Sequence, residues 1–359
     1  MSTEATQPVA DDALFDVRDL RTHFFTSLGT VRAVDGLSFS IPRQRIVGIV
    51  GESGCGKSVA ARSILGIIPP PGRVVSGSMT FAADRGRVDL ASLDAHDEAY
   101  RLLRGREIAM IFQEPMSALS PVHTVGNQLA EAFMLYDESL TKQDAREKCI
   151  DLLRKVGIPS PETLIDAYIF ELSGGMRQRV LVAMAICGEP KLLMADEPTT
   201  AIDVTIQAKV LDLLRQLHEQ NQMSMLFITH NMGIVAELAH EVIVMYLGTV
   251  AERGPVVEIF DNPKHPYTQA LLESIPGLAV EPKSTLHAIS GSVPDPYQRP
   301  PGCPFSNRCP AFMPGICDAA LPPLYDLGNQ QAARCFLHEG RPVIQEASIP
   351  LADAGPRDG

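Results

Sequence analysis

The sequence predicts an α/β protein whose core is a mostly parallel sheet with helices on both faces. Between residues 173 and 240 helical and strand-like segments alternate, in the order helix 175–187, strand 191–195, helix 204–221, strand 224–229 and helix 231–239. Strands that alternate with helices at this spacing are typical of a parallel sheet. A short apolar strand that runs into a glycine-rich loop and then a helix favours the same class. The 359 residues are enough to bury a large core.

Residues 15–50 are predicted to form strands after a polar leader. Residues 1–12 are polar and acidic, and we expect a disordered leader there. Residues 15–49 have strand-like character, with turn signals at Leu28-Gly29 and at Asp35-Gly36. The last of these strands is the apolar segment Ile46–Val50.

Helical patterns follow in the next hundred residues. A helix is predicted from Ser58 to Ile68, where the prolines at 69–71 end it. Residues 73–112 mix short strands with turns, and helical periodicity extends from about Val125 to Val156. We therefore expect a helical subdomain at about residues 120–175.

The character of the chain changes beyond about residue 276. Proline and glycine become dense there, and four of the seven cysteines lie between residues 303 and 335. We expect a main domain over 13–275, a separate proline- and cysteine-rich C-terminal extension over 276–345, and a flexible tail over 346–359.

Composition and charge exclude several classes of protein. The net charge of −12 argues against a protein that coats nucleic acid. No apolar run reaches the ~18–20 residues that a membrane-spanning helix needs. The acidic N-terminus lacks the basic and then apolar pattern of a secretory signal. The cysteines are therefore expected to be reduced thiols or metal ligands, and not a disulfide framework.

The glycine-rich loop has the sequence of a phosphate-binding loop. Residues 51–58 match G-x-x-x-x-G-K-[ST] between a strand and a helix. Glycines allow backbone N–H groups to curl around phosphate oxygens, and the N-terminus of the helix adds a favourable potential. Lys57 is predicted to reach the β- and γ-phosphates, and the Ser58 hydroxyl to bind Mg²⁺. The predicted nucleotide contacts are Gly51, Ser53, Gly54, Cys55, Gly56, Lys57, Ser58 and Val59, with Cys55 as a small space-filling residue.

A pair of carboxylates ends the apolar strand 191–195. Asp196 is predicted to hold Mg²⁺, directly or through water. The adjacent Glu197 is predicted to polarise the attacking water, because it is a carboxylate that the metal does not consume. Taken alone, the pair could also be an acidic helix cap after a core strand. Together with the phosphate loop, it predicts that both segments converge on one magnesium-bound triphosphate.

A second helix start can bind an anion. Ser173, Gly174 and Gly175 open an apolar helix, which makes another anion-binding terminus. Only the helix start after the phosphate loop has a lysine and is paired with a carboxylate predicted to bind the metal ion. Both can be used across a dimer, in which the second start of one subunit closes on the nucleotide that its partner holds.

In this order and spacing, over roughly residues 13–280, the motifs resemble the nucleotide-binding subunit of an ATP-binding cassette (ABC) transporter. The resemblance implies a P-loop NTPase fold with a mostly parallel core sheet, an antiparallel β subdomain and a helical subdomain. It implies that Gln113 senses the γ-phosphate and contributes to the Mg²⁺ site. It implies that Ser173 to Met176 form the signature loop, and that Asp203, in the D-loop Ala201-Ile202-Asp203, is a nucleotide contact. It also implies that His230 is the switch histidine and that Phe24 stacks on adenine.

Three of these residues have a simpler explanation when each is read alone. Gln113 could be any polar loop residue, and His230 could be a hydrogen-bonded histidine at the end of a strand. Phe24 would more often be part of the core than a stacking platform. Their joint order along the chain favours the functional interpretation.

Three stretches are similar to the peptide and nickel importer branch of this superfamily. They are residues 112–121, residues 196–205 and residues 262–268. Two positions depart from the branch pattern: Asn231 follows the histidine where Asp is usual, and Tyr168-Ile-Phe170 precedes the signature where Tyr-Pro-His is usual. Neither departure touches the predicted ATP chemistry.

The branch implies a function and a set of partners. The chain would bind and hydrolyse ATP with Mg²⁺ to energise import of dipeptides, oligopeptides or a related small solute, at the cytoplasmic face of the membrane. Its partners would be two membrane-spanning permeases, an extracytoplasmic solute-binding protein and a second ATPase subunit, identical or not, with no nucleic acid. The binding protein and permeases would select the solute.

The cysteines of the C-terminal extension are a candidate metal site. Cys303, Cys309, Cys317 and Cys335 have the spacing C-x5-C-x7-C-x17-C, and four thiolates can hold Zn²⁺ or an iron–sulfur cluster. From the spacing alone, a metal site and four structural or free thiols are both open, because there is no C-x2-C pair. The resemblance to peptide-importer ATPases implies a [4Fe–4S] cluster, with Zn²⁺ as the alternative.

Two other functions are compatible with a cassette sequence. One is a soluble ABC ATPase that acts on nucleic acid or ribosomes without a transporter. The acidic balance disfavours it, and so does the presence of one cassette per chain. The other is a metal-binding regulatory subunit with an idle ATPase, against which Ser173, Glu197 and His230 argue.

Overall fold

The computed structural model describes residues 13–113, 118–200, 203–275 and 289–344. The chain divides into two compact units. The first unit comprises the residues up to 95 together with those from 229 onward, and the second unit comprises residues 96–228. None of the helices in the described ranges is both long and apolar enough to cross a membrane.

The elements follow one another along the chain in three groups. The first group is β1 (Ala13–Thr26), β2 (Gly29–Pro42), β3 (Ile46–Val50), α1 (Lys57–Ile64), β4 (Gly72–Ala83) and β5 (Gly86–Asp89). The second is α2 (Glu98–Leu103), β6 (Ile108–Ile111), α3 (Val125–Tyr136), α4 (Lys142–Lys155), α5 (Pro161–Leu164), α6 (Gly174–Ile186), β7 (Leu192–Asp196), α7 (Val204–Asn221) and β8 (Ser224–Thr229). The third is α8 (Met232–Leu238), β9 (Glu241–Tyr246), β10 (Thr249–Pro255), α9 (Val256–Asp261), α10 (Pro266–Glu273), β11 (Tyr325–Gly328) and β12 (Gln331–Ala333).

The first unit contains two sets of paired strands. β2, β1, β4 and β5 form an antiparallel sheet in that order. In the other set, β9 pairs in parallel with β3 and antiparallel with β10, and β12 joins β10 to β11. All five residues of β3 are buried, as expected for a short apolar strand with both faces covered.

The described part of the C-terminal extension is tied to this unit by a buried carboxylate. Glu252, on β10, has no solvent exposure. Its oxygens accept hydrogen bonds from the backbone N–H groups of Lys264 and His265, each at 2.8 Å, and from the Gln331 side chain at 2.9 Å. One side chain therefore joins β10, the start of α10 and β12.

The second unit has a parallel sheet in the order β6, β7, β8. Every residue of β7 and β8 is buried. α3, α4 and α6 pack against one another, and α6 also packs on β6. This unit thus contains both the predicted helical region and the strand that carries the predicted carboxylate pair.

Most elements agree with the sequence prediction. β3 and β8 have the expected bounds, α7 covers 204–221, and β7 is displaced by one residue. The helical periodicity predicted over 125–156 corresponds to two helices, α3 and α4. The break occurs because Thr141 and Asp144 form a capping box that begins α4.

Two boundaries were predicted wrongly and three helices were missed. The Asp35-Gly36 turn does not exist, because β2 continues through it with Gly36 at a φ of 88°, next to an irregular register against β1. α1 ends at Ile64 and not at Ile68, because Gly66 adopts a left-handed φ of 60° before the prolines are reached. The helices α2, α9 and α10 were not predicted, since six, six and eight residues are too few for a clear period.

Candidate functional site

The phosphate loop of the first unit connects β3 to α1 and needs glycine at two positions. Gly51 and Gly56 have φ values of 154° and 100°. A Cβ atom would collide with the carbonyl oxygen of Met245 at Gly51 and with that of Ala33 at Gly56. The loop backbone therefore lies directly against neighbouring backbone, and side chains are excluded at both points.

Lys57 is buried at the start of α1. Its Nζ donates hydrogen bonds to the carbonyl oxygens of Gly51, at 2.8 Å, and Glu52, at 3.1 Å. An ammonium group is thus held across the loop at a helix N-terminus, where both charge and dipole favour an anion. Cys55 is buried beside it, and burial raises the pKa of its thiol. A buried thiol with a raised pKa favours the predicted space-filling role over that of a reactive thiolate.

Two contacts to the loop come from far along the chain. The backbone N–H of Glu52 donates to the hydroxyl oxygen of Tyr267, on α10, at 2.9 Å. The Glu52 carboxylate forms an ion pair with Arg308, at 2.6 Å. Tyr267 and Arg308 were not predicted from the sequence as neighbours of the loop. The only signal was that each lies within a distinctive stretch, one at 262–268 and the other between two cysteines.

Phe24, the predicted adenine platform, is half-buried on β1. Its ring lies against the backbone of Gly72, where a Cβ atom would lie 2.6 Å from Phe24 Cε1 and 2.6 Å from Ile68 Cγ2. The neighbouring Phe25 is exposed, and the guanidinium carbon of Arg73 lies 4.6 Å from the centre of its ring. The contact of Phe24 with adenine stays a prediction.

The predicted carboxylate pair lies at the end of β7 in the second unit, and both residues are buried. Gln113 Nε2 donates a hydrogen bond to Glu197 Oε2 at 3.1 Å. The Thr200 hydroxyl donates to the same oxygen at 2.8 Å. The structure therefore brings together two residues that the sequence predicted to be catalytic, Gln113 and Glu197, and adds Thr200, which was not predicted.

Glu197 has a strained backbone. Its φ of 46° lies in the left-handed region, which costs a residue other than glycine about 1–2 kcal/mol. The backbone N–H of Glu197 is fixed by the carbonyl oxygen of Ile228, at 2.9 Å, on the adjacent strand. Strain of this kind is concentrated at active sites, where the surrounding structure holds a side chain in a required direction.

The predicted signature segment begins α6, a helix of 13 residues. Ser173 is its N-cap, and its hydroxyl accepts a hydrogen bond from the backbone N–H of Met176 at 3.3 Å. Ser173 and Gly174 are exposed, whereas Gly175 is buried against Ile206. The guanidinium of Arg177 donates to the carbonyl oxygens of Ile169 and Leu172, both at 3.0 Å. The helix start is thus rigid and open to an outside partner.

Two predicted residues lie at other helix starts. Asp203 caps α7 by accepting a hydrogen bond from the backbone N–H of Ile206 at 2.9 Å. His230 is exposed directly after β8, and Asn231 caps α8. The other two residues of the predicted D-loop, Ala201 and Ile202, and residues 114–117 of the glutamine loop lie outside the described residues. The roles of Asp203 and His230 in nucleotide binding stay predictions.

The predicted site residues belong to both units of the fold. The lysine loop and His230 are in the first unit, and Gln113, the signature segment, the carboxylate pair and Asp203 are in the second. Each half has the features that its motif requires. Their convergence on one magnesium-bound nucleotide stays a prediction.

The four C-terminal cysteines share one region of the first unit. Cys303, Cys317 and Cys335 are buried, Cys309 is half-buried, and the backbone N–H of Cys303 donates to the carbonyl oxygen of Cys317 at 2.7 Å. Burial, with a smaller contribution from the other three thiols, raises the pKa of Cys335 to about 11. Across the described ranges, however, no group of three or more His, Cys, Asp or Glu side chains has an arrangement that could hold a metal ion. The predicted [4Fe–4S] or zinc site is therefore unsupported by this arrangement.

Comparison with known proteins identifies two family models in the chain. A model described as ABC transporter matches residues 34–200, and one described as oligopeptide/dipeptide transporter, C-terminal region, matches residues 251–317. The dipeptide transport ATP-binding protein DppD of Haemophilus influenzae is 46% identical over 334 residues, which cover 92% of this chain and 98% of that protein. The oligopeptide transport ATP-binding protein AppD of Bacillus subtilis is 45% identical, with coverage of 91% and 97%.

Solved structures support the fold. The ATP-binding cassette MJ0796, determined as a dimer in a post-hydrolysis state with ADP and Pi, is similar with a TM-score of 0.59 and 21% identity, over 67% of this chain and 98% of that one. The protein cbiO1 of Clostridium perfringens, part of the ABC transporter complex cbiONQ, has a TM-score of 0.58 and 27% identity, over 70% and 92% of the two chains.

Proposed function

The chain belongs to the ABC transporter family, within the branch of dipeptide and oligopeptide transport ATP-binding proteins, and we propose that it is the ATP-hydrolysing subunit that energises peptide import. Among the contacts of the structure, the hydrogen bond from Gln113 to Glu197 carries the hydrolytic part of this conclusion, because it orients a buried carboxylate at the end of a core strand. The relatives are transport proteins over almost their full length, which disfavours a soluble ATPase that acts on nucleic acid or ribosomes.

The phosphate loop binds the triphosphate of ATP. Lys57 and the backbone of residues 51–58 contact the β- and γ-phosphates, with the first turn of α1 directed at them. Ser58, Gln113 and Asp196 supply hydroxyl, amide and carboxylate oxygens, a donor set that suits a hard cation. When bound, Mg²⁺ neutralises negative charge on the β- and γ-phosphate oxygens.

Hydrolysis uses the carboxylate at the end of β7. Glu197 accepts a proton from the attacking water, which displaces ADP from the γ-phosphorus in line. Gln113 and Thr200 hold the carboxylate in position through its Oε2 atom. Lys57 stabilises charge on the transferred oxygens, and His230 positions the γ-phosphate.

The Glu197→Gln variant tests this function. It keeps the shape of the side chain and removes the proton acceptor, so we expect ATP to bind while hydrolysis falls about 10²–10⁴-fold, the usual contribution of a positioned base. The variant should also accumulate as a closed, ATP-bound dimer. Turnover close to that of the wild type, measured as phosphate release at saturating ATP, would show that Glu197 is not the base.

The dimer brings in the signature segment. Ser173 and Gly174 of one subunit close on the γ-phosphate that the other subunit holds, which is consistent with their exposure at a rigid helix start. The partner is a second ATPase subunit, either another copy of this chain or a related one. Closing and reopening of the dimer shift a conformational equilibrium in the membrane partners.

Membrane-spanning permeases dock on the helical part of the second unit. Leu135 and Phe170 are 73% and 60% exposed, and the rings of Tyr168 and Phe170 stack with centres 5.5 Å apart. Met134, Leu135 and Ile165 line a groove of about 610 Å³. Exposed apolar surface of this kind fits short cytoplasmic loops of permeases. The proposed location of the chain is the cytoplasmic face of the membrane, and the proposed solute-binding protein acts on the opposite side.

Assembly measurements test this docking surface. Leu135→Asp and Phe170→Asp should abolish co-purification with the permeases, whereas Leu28→Asp, at an 81% exposed position of the first unit, should not. Equal recovery of permeases with all three variants would place the docking surface elsewhere.

We propose, from the resemblance and from the shared region of the four cysteines, that Cys303, Cys309, Cys317 and Cys335 hold a [4Fe–4S] cluster with a structural or regulatory role, zinc being the alternative. Four thiolates are a sufficient ligand set for either. Anaerobic purification followed by iron, sulfide and zinc analysis is the test. A colourless protein with one equivalent of zinc and no iron would replace the cluster by zinc, and a protein without either metal would contradict both.

A further inference from the structure

The C-terminal extension contacts the phosphate loop through one arginine. Arg308 lies between Cys303 and Cys309, and its guanidinium forms two hydrogen bonds with the carboxylate of Glu52, the second residue of the loop. Nη1 donates to Oε2 at 2.6 Å and Nη2 donates to Oε1 at 3.1 Å. The Arg308 side chain is only 4% exposed and that of Glu52 is 26% exposed. A paired arrangement of this kind fixes direction as well as charge.

Arg308 is itself held in place. Its Nε donates to the carbonyl oxygen of Ser290 at 3.0 Å, and its Nη1 donates to the hydroxyl oxygen of Tyr246 at 3.2 Å. The ring of Phe305 packs against the rings of Tyr246 and Tyr267, each with a centre-to-centre distance of 5.2 Å. The guanidinium is therefore positioned by packing from β9, α10 and the extension.

Both polar ends of Glu52 are thus held by residues outside the loop. Its backbone N–H is bound to Tyr267, and its carboxylate is bound to Arg308. A carboxylate in a loop that receives a triphosphate repels the ligand unless a cation neutralises it. Arg308 provides that cation, while Lys57 remains directed at the loop carbonyl groups.

We propose that Arg308 is a positioning residue for the phosphate loop, which neutralises and orients Glu52 and thereby sets the affinity for ATP. The cysteine-rich segment and the nucleotide site are then coupled, so that displacement of residues 303–309 weakens ATP binding. This inference rests on the proposed function, because it requires that the loop around Lys57 binds ATP.

The test compares Arg308→Gln, Glu52→Gln and the double variant by equilibrium binding of ATP to the full chain. Arg308→Gln leaves the Glu52 carboxylate uncompensated, so we expect Kd for ATP to rise roughly tenfold, within the usual range of coupling between sites. The rate at saturating ATP should change little. Glu52→Gln should bind ATP at least as well as the wild type, and the double variant should recover most of the affinity, because the repelling charge is gone.

Two further measurements separate positioning from a structural role. The defect of Arg308→Gln should shrink as salt increases, because salt screens the repulsion. Arg154→Gln is the matched control, since it breaks an arginine–glutamate pair in the second unit, with Glu162 at 2.6 Å, and should leave Kd unchanged. If Arg308→Gln does not fold, Arg308→Lys replaces it, with a smaller expected rise in Kd.

The outcomes are distinct. A wild-type Kd in Arg308→Gln, or in Arg308→Lys when that variant is used, overturns the inference. A double variant as weak as the arginine variant alone also overturns it, because the effect would then not pass through Glu52. Failure of the folded wild-type chain to bind ATP would contradict the proposed function instead.

Discussion

Glu197, the proposed general base, has a strained backbone conformation. Its left-handed backbone directs the carboxylate towards two donors, Gln113 and Thr200, that share one of its oxygens. Because both donors bind Oε2, the direction of the other carboxylate oxygen, Oε1, is fixed as well. A base that is fixed in this way loses little entropy when it accepts a proton.

Thr200→Val removes one of the two donors and keeps the volume of the side chain. We expect kcat for ATP hydrolysis to fall about tenfold, because the lost hydrogen bond to a charged group is worth about 1.5 kcal/mol. KM for ATP should be unchanged, since Thr200 holds the base and not the phosphates. Thr200→Ser retains the hydroxyl and serves as the control. A kcat equal to that of the wild type in Thr200→Val would show that Gln113 alone orients Glu197.

At the scale of the element, the turn before α10 depends on a neutral histidine. His265 caps this helix by accepting the backbone N–H of Tyr267 at its Nδ1 atom, at 3.0 Å. Burial, with smaller contributions from the neighbouring His338 and Arg334, lowers the pKa of His265 from 6.5 to about 3. The folded chain therefore resists protonation of His265, which the unfolded chain accepts near the ordinary pKa.

The sign of the pH effect follows from this difference. The stabilisation associated with His265 is fully present above pH 6.5 and is lost as the pH falls towards about 3. The free energy of unfolding should fall by up to about 1.4 kcal/mol for each pH unit in that window. His265→Asn retains a cap acceptor and has no such titration. Its melting temperature should therefore fall less steeply than that of the wild type between about pH 6 and about pH 4.

Comparing the wild type with His265→Asn separates the effect of His265 on the pH dependence of stability from the effects of neighbouring titratable groups. Burial raises the pKa of the adjacent Glu252, and such a carboxyl group contributes stability that decreases as the pH rises. This opposite contribution is present in both proteins and cancels in the difference. Identical pH profiles for wild type and His265→Asn would show that the histidine does not control the stability of this turn.

The sequence predicts elements well where the signal is local. Three elements have signals in adjacent residues. Continuous apolar character predicts the strand Ile46–Val50, glycines at fixed positions predict the phosphate loop, and an aspartate cap marks the start of α7. The turn at Asp35-Gly36 was predicted wrongly, because a glycine within a strand has the same local signal as a glycine in a turn. The pairing of Glu52 with Arg308 had no local signal, since the two residues are 256 positions apart.

At the scale of the whole molecule, the exposed start of α6 predicts an obligatory partner for hydrolysis. The Ser173→Arg variant adds a bulky cation at this surface, so closure of two subunits should be blocked. We expect ATPase activity to fall to background while ATP binding by the single chain is retained. Ser139→Arg, at another exposed serine of the same unit, is the control. Size-exclusion chromatography with Glu197→Gln as the background should show the ATP-bound dimer for the control only.

Because the cysteines are buried, alkylation of their thiols reports which part of the folded protein opens. Six of the seven thiols are buried and Cys309 is half-buried, so a brief pulse of an alkylating reagent should modify at most one position in the native state. Local opening of the cysteine-rich segment would add modifications at its own thiols, whereas global unfolding would also expose Cys55, Cys149 and Cys187. Mass spectrometry of the labelled chain could therefore distinguish the two kinds of opening without any added dye or tag.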